Sequence, residues 1–308
     1  MQAIDWTTRE ATIATTVAWV TQQLRACGVE SPEQDSRRLV AAATGLTSAA
    51  LLGHPQRLLT DEEQRRLASF VERRARREPV ARILGRRGFY GREFEITPST
   101  LEPRPDTETV IEAALQIAAE EGWRGDPVRI IDVGTGTGCL LITLLAELPN
   151  ALGLGTDINP EALSVAERNA RRHGVAARAR WTVSESLRGI EEHFDFLVSN
   201  PPYICSDHID LLQPEVKFFD PRTALDGGPD GLRVYRDIIA DLDRIVPHGW
   251  ALFEVGMGQA PAVAAMLKEA TPGCSCAVRT FRDLGGHDRC VARRARRQVR
   301  REKLLESG

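Results

Sequence analysis

The run Phe194-Asp195-Phe196-Leu197-Val198-Ser199-Asn200-Pro201-Pro202-Tyr203-Ile204 restricts the fold more than any other stretch of the chain. Its first half is a short, mostly apolar segment, as expected of a strand in a sheet covered on both faces. At Asn200 it meets two prolines, each with a fixed φ and no backbone N–H, so the strand cannot continue through them. The first proline also holds Asn200 extended. The result is a stiff turn at the carboxyl end of a strand, presenting one amide side chain, free carbonyls and an aromatic ring. Open α/β sheets bind their ligands outside the carboxyl ends of their strands.

That set of groups suits one kind of chemistry. An amide or aromatic amine nitrogen is a poor nucleophile because its lone pair is delocalised. Fixed acceptors on its N–H groups push electron density back onto nitrogen and orient it. Asn200 Oδ1 and the Pro201 carbonyl can be those acceptors, while the Asn200 NH2 donates elsewhere. Tyr203 can lay its face on a planar substrate group. The plain alternative is a proline-rich loop, Pro201-Pro202, with Tyr203 plugging the core.

From residue 128 the pattern alternates strands and helices, which predicts a mostly parallel sheet in an α/β fold. Strands are expected over Val128–Val133, ending near Ile158, around Arg180–Val183, through the central run, and over Trp250–Val255. Ser275–Phe281 and Arg289–Val291 read as a closing antiparallel pair, and Gly231 to Val246 as one helix. After the first strand comes Gly134-Thr135-Gly136-Thr137-Gly138, a loop whose backbone a ligand can approach closely. Asp157 ends the second strand about 20 positions beyond the loop, the reach of a carboxylate that holds ribose hydroxyls. The spacing differs from the dinucleotide G-x-G-x-x-G, which argues against a dehydrogenase. Loop, acid and Asn-Pro-Pro-Tyr in this order suit S-adenosylmethionine, a nucleoside with a sulfonium methyl and no phosphates. Asp132 suits the positive end of such a cofactor, or caps the strand. Glu185 or Ser186 would face the adenine, or form a turn.

Residues 1–78 read as an all-helical domain. Ser31-Pro32 opens one helix, and Thr60-Asp61-Glu62-Glu63 is a capping box for another. The latter carries Arg65, Arg66, Arg73, Arg74, Arg76 and Arg77 on one side, a pattern that predicts a solvated face. Residues 79–100 alternate and contain glycines, which predicts a β-hairpin linking two domains. Asp106 is placed to cap the helix that carries Val110 and Ile111. Residues 101–294 form the second domain, and 295–308 a basic tail, with a frayed helix expected from Arg293 to Lys303.

At 308 residues and 42% hydrophobic the chain can bury a sizeable core. A net charge of −3 gives no general field for wrapping nucleic acid. Lysine occurs only at 217, 268 and 303, so nearly all cations are arginine. The six cysteines (27, 139, 205, 274, 276 and 290) include no C-x-x-C pair and read as reduced thiols of a cytoplasmic protein. No signal peptide, bilayer-crossing segment or metal site is expected.

Asn200-Pro201-Pro202-Tyr203-Ile204, Pro103-Arg104-Pro105-Asp106-Thr107-Glu108, Asp132 to Gly138, Asp220 to Leu225, Gly227 to Leu232 and Arg282 to Arg289 together closely resemble the HemK/PrmC family, protein-(glutamine-N5) methyltransferases of peptide-chain release factors. The resemblance spans nearly the whole chain except the tail. It implies a seven-stranded, Rossmann-like class I S-adenosylmethionine-dependent methyltransferase domain behind a small helical bundle, joined by a hairpin. It implies the glutamine of the Gly-Gly-Gln loop of class 1 release factors as acceptor. By position, Gly134 to Gly138 and Asp157 would hold the cofactor; Asn200, Pro201, Pro202 and Tyr203 would form the catalytic corner. Glu185 and Ser186 stand where many members have Asp and an aromatic, and Glu102 replaces a usually apolar residue. The alternatives are the same chemistry on a large-subunit ribosomal protein, an amino-methyltransferase acting on DNA adenine, or a non-catalytic ribosome-associated module. A monomer is expected, without membrane association or direct DNA binding.

Overall fold

The computed structural model describes residues 11–270 and 277–295. It divides into two units, one built on the chain up to Arg86 together with Gln213–Phe219, the other on Arg87–Leu212 and the chain from Asp220 onward. The expected strand start at Ser275, along with Cys274 and Cys276, and the tail beyond Ala295 lie outside the described residues.

Helical periodicity forms the first unit: α1 (Ile13–Ala26), α2 (Pro32–Thr44), α3 (Ser48–Gly53), α4 (Asp61–Ala75) and α5 (Val80–Leu84). Val20, Leu24, Leu39, Val40, Leu67 and Val71 meet in its core. The hydroxyls of Thr12, Thr47 and Thr60 cap α1, α3 and α4 by accepting the N–H groups of Thr15, Ala50 and Glu63. Each such cap stabilises its helix by about 1 kcal/mol. The capping box at Thr60 and Glu63 is present. Ser31 precedes Pro32 as expected, but its side chain makes no cap bond.

Two readings are corrected here. Residues 80–84 are helix α5, not part of a hairpin: Pro79 starts the turn at φ −58°, and Gly85 ends it in the left-handed region at φ 69°. Val80 and Ile83, three apart, bury together, so the helical period wins over the alternation. The arginine face of α4 is only partly solvated. Arg65, Arg66 and Arg76 are exposed, whereas Arg74 is buried against Asp35 (2.7 Å) and Glu215 (3.0 Å). Glu215 lies in α9 (Pro214–Lys217), and its two oxygens also take Arg77 Nε and Nη2 at 2.6 and 2.8 Å.

The second unit opens with β1 (Arg86–Phe89) and β2 (Arg92–Glu95), joined through Tyr90 and Gly91. Both turn residues have positive φ, 47° and 70°, the conformation that a two-residue hairpin requires. Then follow α6 (Glu108–Glu120), β3 (Arg129–Val133), α7 (Cys139–Glu147), β4 (Leu152–Asp157), α8 (Pro160–Arg172), β5 (Ala179–Val183) and β6 (Phe196–Ser199). After α9 come α10 (Arg233–Ala240), α11 (Leu242–Ile245), β7 (Trp250–Glu254), α12 (Ala260–Glu269), β8 (Val278–Arg282) and β9 (Asp288–Arg294). The seven-stranded sheet has the order β5-β4-β3-β6-β7-β9-β8, parallel except for β9, which runs antiparallel to β7 and β8.

Both faces of the sheet are covered, as the apolar strands require. One core gathers Ile130, Phe196, Val198 and Leu252 with α6 and α7; the other gathers Ile131, Leu197, Tyr235 and Phe253 with α10 to α12. The helix expected over 231–246 breaks at Asp241, whose side chain accepts Arg244 Nε at 3.0 Å instead of pointing into a continuous helix. Gly231, at φ 72°, lies before its start. Arg293 and Arg294 belong to β9 rather than to a tail helix. Arg293 is buried and pairs with Asp243, while Arg294 reaches Glu121 at 2.6 Å. Among the described residues no helix is long and apolar enough to cross a membrane, and no group of three or more His, Cys, Asp or Glu could hold a metal.

Candidate active site

Sheet register brings the motifs together. Val133 is level with Thr156 on β4 and Ser199 on β6, and Ser199 is level with Phe253 on β7. The residues just beyond, the glycine loop, Asp157, Asn200 and Glu254, therefore emerge along one edge. A cavity of about 580 Å³ lies there, within the range that holds a small ligand.

The loop folds back on the neighbouring strand: the N–H groups of Gly134 and Thr135 both bond the Thr156 carbonyl, at 2.9 and 2.8 Å. Gly134 and Gly136 take φ of 73° and 55°. A Cβ built on either would meet no protein atom within 4 Å, so that surface of the loop is open to a ligand. Asp157 stands beside it. One carboxylate oxygen accepts the Gly136 N–H and the other the Asn159 N–H, both at 2.9 Å. Each oxygen keeps a further lone pair for a hydroxyl. Burial raises the Asp157 pKa above its ordinary value against the pull of these bonds. Asp132, deeper in the cavity, is almost wholly buried. Its Oδ2 accepts the Thr135 hydroxyl at 2.7 Å, but its Oδ1 has no partner. Burial, with a smaller contribution from Asp157, pushes its pKa up to about 7. An orphaned carboxylate oxygen at this place fits a ligand that carries positive charge.

The proline corner follows β6, the direct neighbour of β3, and Asn200, Pro201 and Pro202 line the same cavity. Ser199 Oγ ties the corner to the loop strand by donating to the Val133 carbonyl at 2.7 Å. Asn200 Nδ2 donates to Thr107 Oγ1 at 3.2 Å. Thr107 ends a short 3-10 turn, Pro105–Thr107, and is itself buried. Glu254 ends β7. Glu254 is buried, Oε2 has no partner, and burial lifts its pKa to about 7.

Of the residues expected in the site, Gly134, Thr135, Gly136, Thr137, Asp157, Glu185, Ser186, Asn200, Pro201 and Pro202 line the cavity. Gly138 and Tyr203 do not. Gly138 serves packing, since a Cβ there would lie 2.7 Å from Ile142 Cδ1. Tyr203 turns its ring toward Gly256 and the second core, away from the cavity wall. Ser186 takes φ 54°, and Glu185 is exposed and pairs with Arg188 at 3.1 Å. Asp106 does not cap α6; its carboxylate pairs with Arg289 at 3.0 Å. Glu102, unusual for its position, is buried beside Arg87 at 3.1 Å. Sequence reasoning missed Thr107 and Glu254. An acid closing the apolar run Trp250–Phe253 was the available signal for Glu254.

Asp132 and Asp157 line the cavity with the glycine loop, and the arginines among its described lining, Arg222 and Arg233, come from the chain after Pro221. The sheet order, the open glycine loop and these two acids define a class I S-adenosylmethionine-dependent methyltransferase. The release factor glutamine methyltransferase of Rhodospirillum rubrum is 45% identical over 280 residues, 91% of this chain and 83% of that protein; its counterpart from Agrobacterium fabrum is 41% identical over 283 residues, 92% and 97%. The chain belongs to the release factor glutamine methyltransferase family. The PrmC N-terminal domain matches residues 15–85, and the methyltransferase small domain residues 120–213. Among solved structures, the catalytic domain of hMettl16 in complex with MAT2A 3′UTR hairpin 1 is similar at a TM-score of 0.53 and 18% identity, over 79% of this chain and 84% of that one. At that identity the likeness concerns the fold alone.

Proposed function

We propose that this protein methylates the side-chain amide nitrogen (N5) of the glutamine in the Gly-Gly-Gln loop of class 1 release factors. The observation that carries the reading is the Asn200–Pro201 corner, lining one cavity together with Asp132, Asp157 and the glycine loop. With one Asn200 N–H committed to Thr107, Oδ1 is left as an acceptor beside the Pro201 carbonyl.

S-adenosylmethionine supplies an electrophilic methyl on a sulfonium. Asp157 would hold the ribose hydroxyls, the loop from Gly134 to Thr137 would receive the nucleoside, and Asp132 would face the charged end. Glu185 and Ser186 would border the adenine. Asn200 Oδ1 and the Pro201 carbonyl accept the two N–H groups of the glutamine amide and aim its nitrogen at the methyl. Held in this way, the nitrogen would take the methyl as the sulfur keeps the bonding pair, and its proton would pass to water. Positioning and hydrogen bonding carry the rate, because the nitrogen turns acidic as it bonds carbon.

The curated relatives' names support a release factor as acceptor. The reading carries with it a cytoplasmic monomer that neither enters a membrane nor reads DNA. The test is mass spectrometry of a class 1 release factor incubated with the full chain and S-adenosylmethionine. One added methyl on the loop glutamine is expected; methyl on DNA adenine or on a ribosomal protein instead would replace the reading.

A further inference from the structure

The two prolines of the corner have no N–H by which a strand ladder could hold them. Where Asn200 and Pro201 stand therefore depends on what the carbonyls just beyond them meet. The segment Gly227–Leu232, to which the proposed transfer gives no part, supplies those neighbours. We propose that Gln259, packed against this glycine segment and bonded to the chain of the corner, holds Asn200 and Pro201 in place, which makes it a positioning residue for the transfer.

The Ile204 N–H donates to the Leu225 carbonyl at 3.0 Å, and the Ile204 carbonyl accepts the Gly227 N–H at 2.9 Å, so the chain leaving the corner runs beside this segment. The fit leaves no room for side chains. A Cβ on Gly227 would lie 2.7 Å from the Pro202 carbonyl oxygen, and one on Gly231 would lie 2.4 Å from the Tyr203 carbonyl oxygen. Gln259 stands just before α12 and closes the arrangement. Its Nε2 donates to the Tyr203 carbonyl at 2.9 Å, across 56 positions of chain, and its Oε1 accepts the Gly256 N–H at 3.1 Å. A backbone carbonyl only accepts and a backbone N–H only donates, so these two bonds leave the Gln259 amide one orientation. The chain after β7 bears on the Tyr203 ring as well: a Cβ on Gly256 would lie 2.9 Å from Tyr203 Cδ2. Tyr203 is thus held by its carbonyl and its ring. Only Pro201 and Pro202 separate it from Asn200, and their fixed φ makes that stretch stiff enough to carry the hold back to the corner.

This inference rests on the function proposed above, and its test separates the two. Steady-state kinetics of the full chain use S-adenosylmethionine and a class 1 release factor; cofactor Kd comes from calorimetry. Gln259→Met keeps the length of the side chain and removes both polar ends. Its kcat should fall roughly tenfold to a hundredfold, the loss that a shift of about 1 Å at the reacting groups produces, with KM for the release factor and cofactor Kd held within about twofold. Gln259→Glu separates the corner from the local turn. It still accepts the Gly256 N–H but offers the Tyr203 carbonyl no proton at neutral pH, so its kcat should fall as far. Should these variants fail to fold, Gly227→Ala presses on the Pro202 carbonyl directly and is read in the same way. Unchanged kcat in Gln259→Met, full activity in Gln259→Glu, or a loss shared equally by cofactor Kd would each overturn the positioning role. A fully active Asn200→Ala would overturn the proposed function itself.

Discussion

Asp157 Oδ2 accepts the backbone N–H of Gly136 at 2.9 Å, which locks the acid that ends β4 to the middle of the glycine loop after β3. The carboxylate thus shapes the loop as well as facing the cavity.

Replacing it should act on cofactor binding before it acts on rate. Hydrogen bonds to a charged group are each worth about 1.5–3 kcal/mol, so Asp157→Ala should weaken the S-adenosylmethionine Kd by roughly tenfold to a hundredfold. Isothermal calorimetry reads this directly. An unchanged Kd would remove Asp157 from the cofactor site.

Asn200→Ala should behave in the opposite way. Loss of one preorganised hydrogen-bonding group commonly lowers kcat by about 10²–10³. Asp157 and the loop from Gly134 to Thr137 are left in place, so the cofactor Kd should barely move. Single-turnover methylation of a release factor, beside calorimetry on the same preparation, compares the two; parallel losses would contradict the assigned role.

Cofactor affinity should depend on pH through Asp132. Its folded-state pKa is raised to about 7, mainly by burial and further by Asp157. A cationic ligand favours the ionised carboxylate, so binding below that value must release a proton. Affinity should tighten as pH rises toward 7 and level off above it. Asp132→Asn should flatten the profile. The apoprotein has the opposite slope: a raised carboxyl pKa contributes stability that is complete below the ordinary value and lost as pH rises to about 7. Glu254, raised to about 7 chiefly by burial, adds to the same slope. Urea midpoints of the apoprotein between about pH 4 and 8 should fall.

Glu215→Ala should destabilise without touching catalysis. It leaves Arg74, 7% exposed in its side chain, with Asp35 as its remaining carboxylate, and strips Arg77 of its two-oxygen partner. Removing one partner of a fully buried pair costs about 3–5 kcal/mol, and the partial exposure here sets that as an upper bound. A lower urea midpoint with unchanged cofactor Kd is the expected result.

Sequence alone determined the alternation of strands and helices, the parallel sheet, the glycine loop, the acid after β4 and the proline corner. Each of these is written in a local pattern: apolar runs, glycine spacing, and prolines that no strand can pass through. The tertiary structure decided which groups meet. Thr107 lies 93 positions from Asn200 in the chain, and its role appears only where strand register and the turn at Pro105 bring it within 3.2 Å. Burial decided the rest, turning Tyr203 toward Gly256, pairing Arg74 inside the helical unit and raising the pKa of Asp132 and Glu254. Desolvation and pairing depend on what surrounds a side chain in space, and no run of neighbours along the chain encodes that by itself.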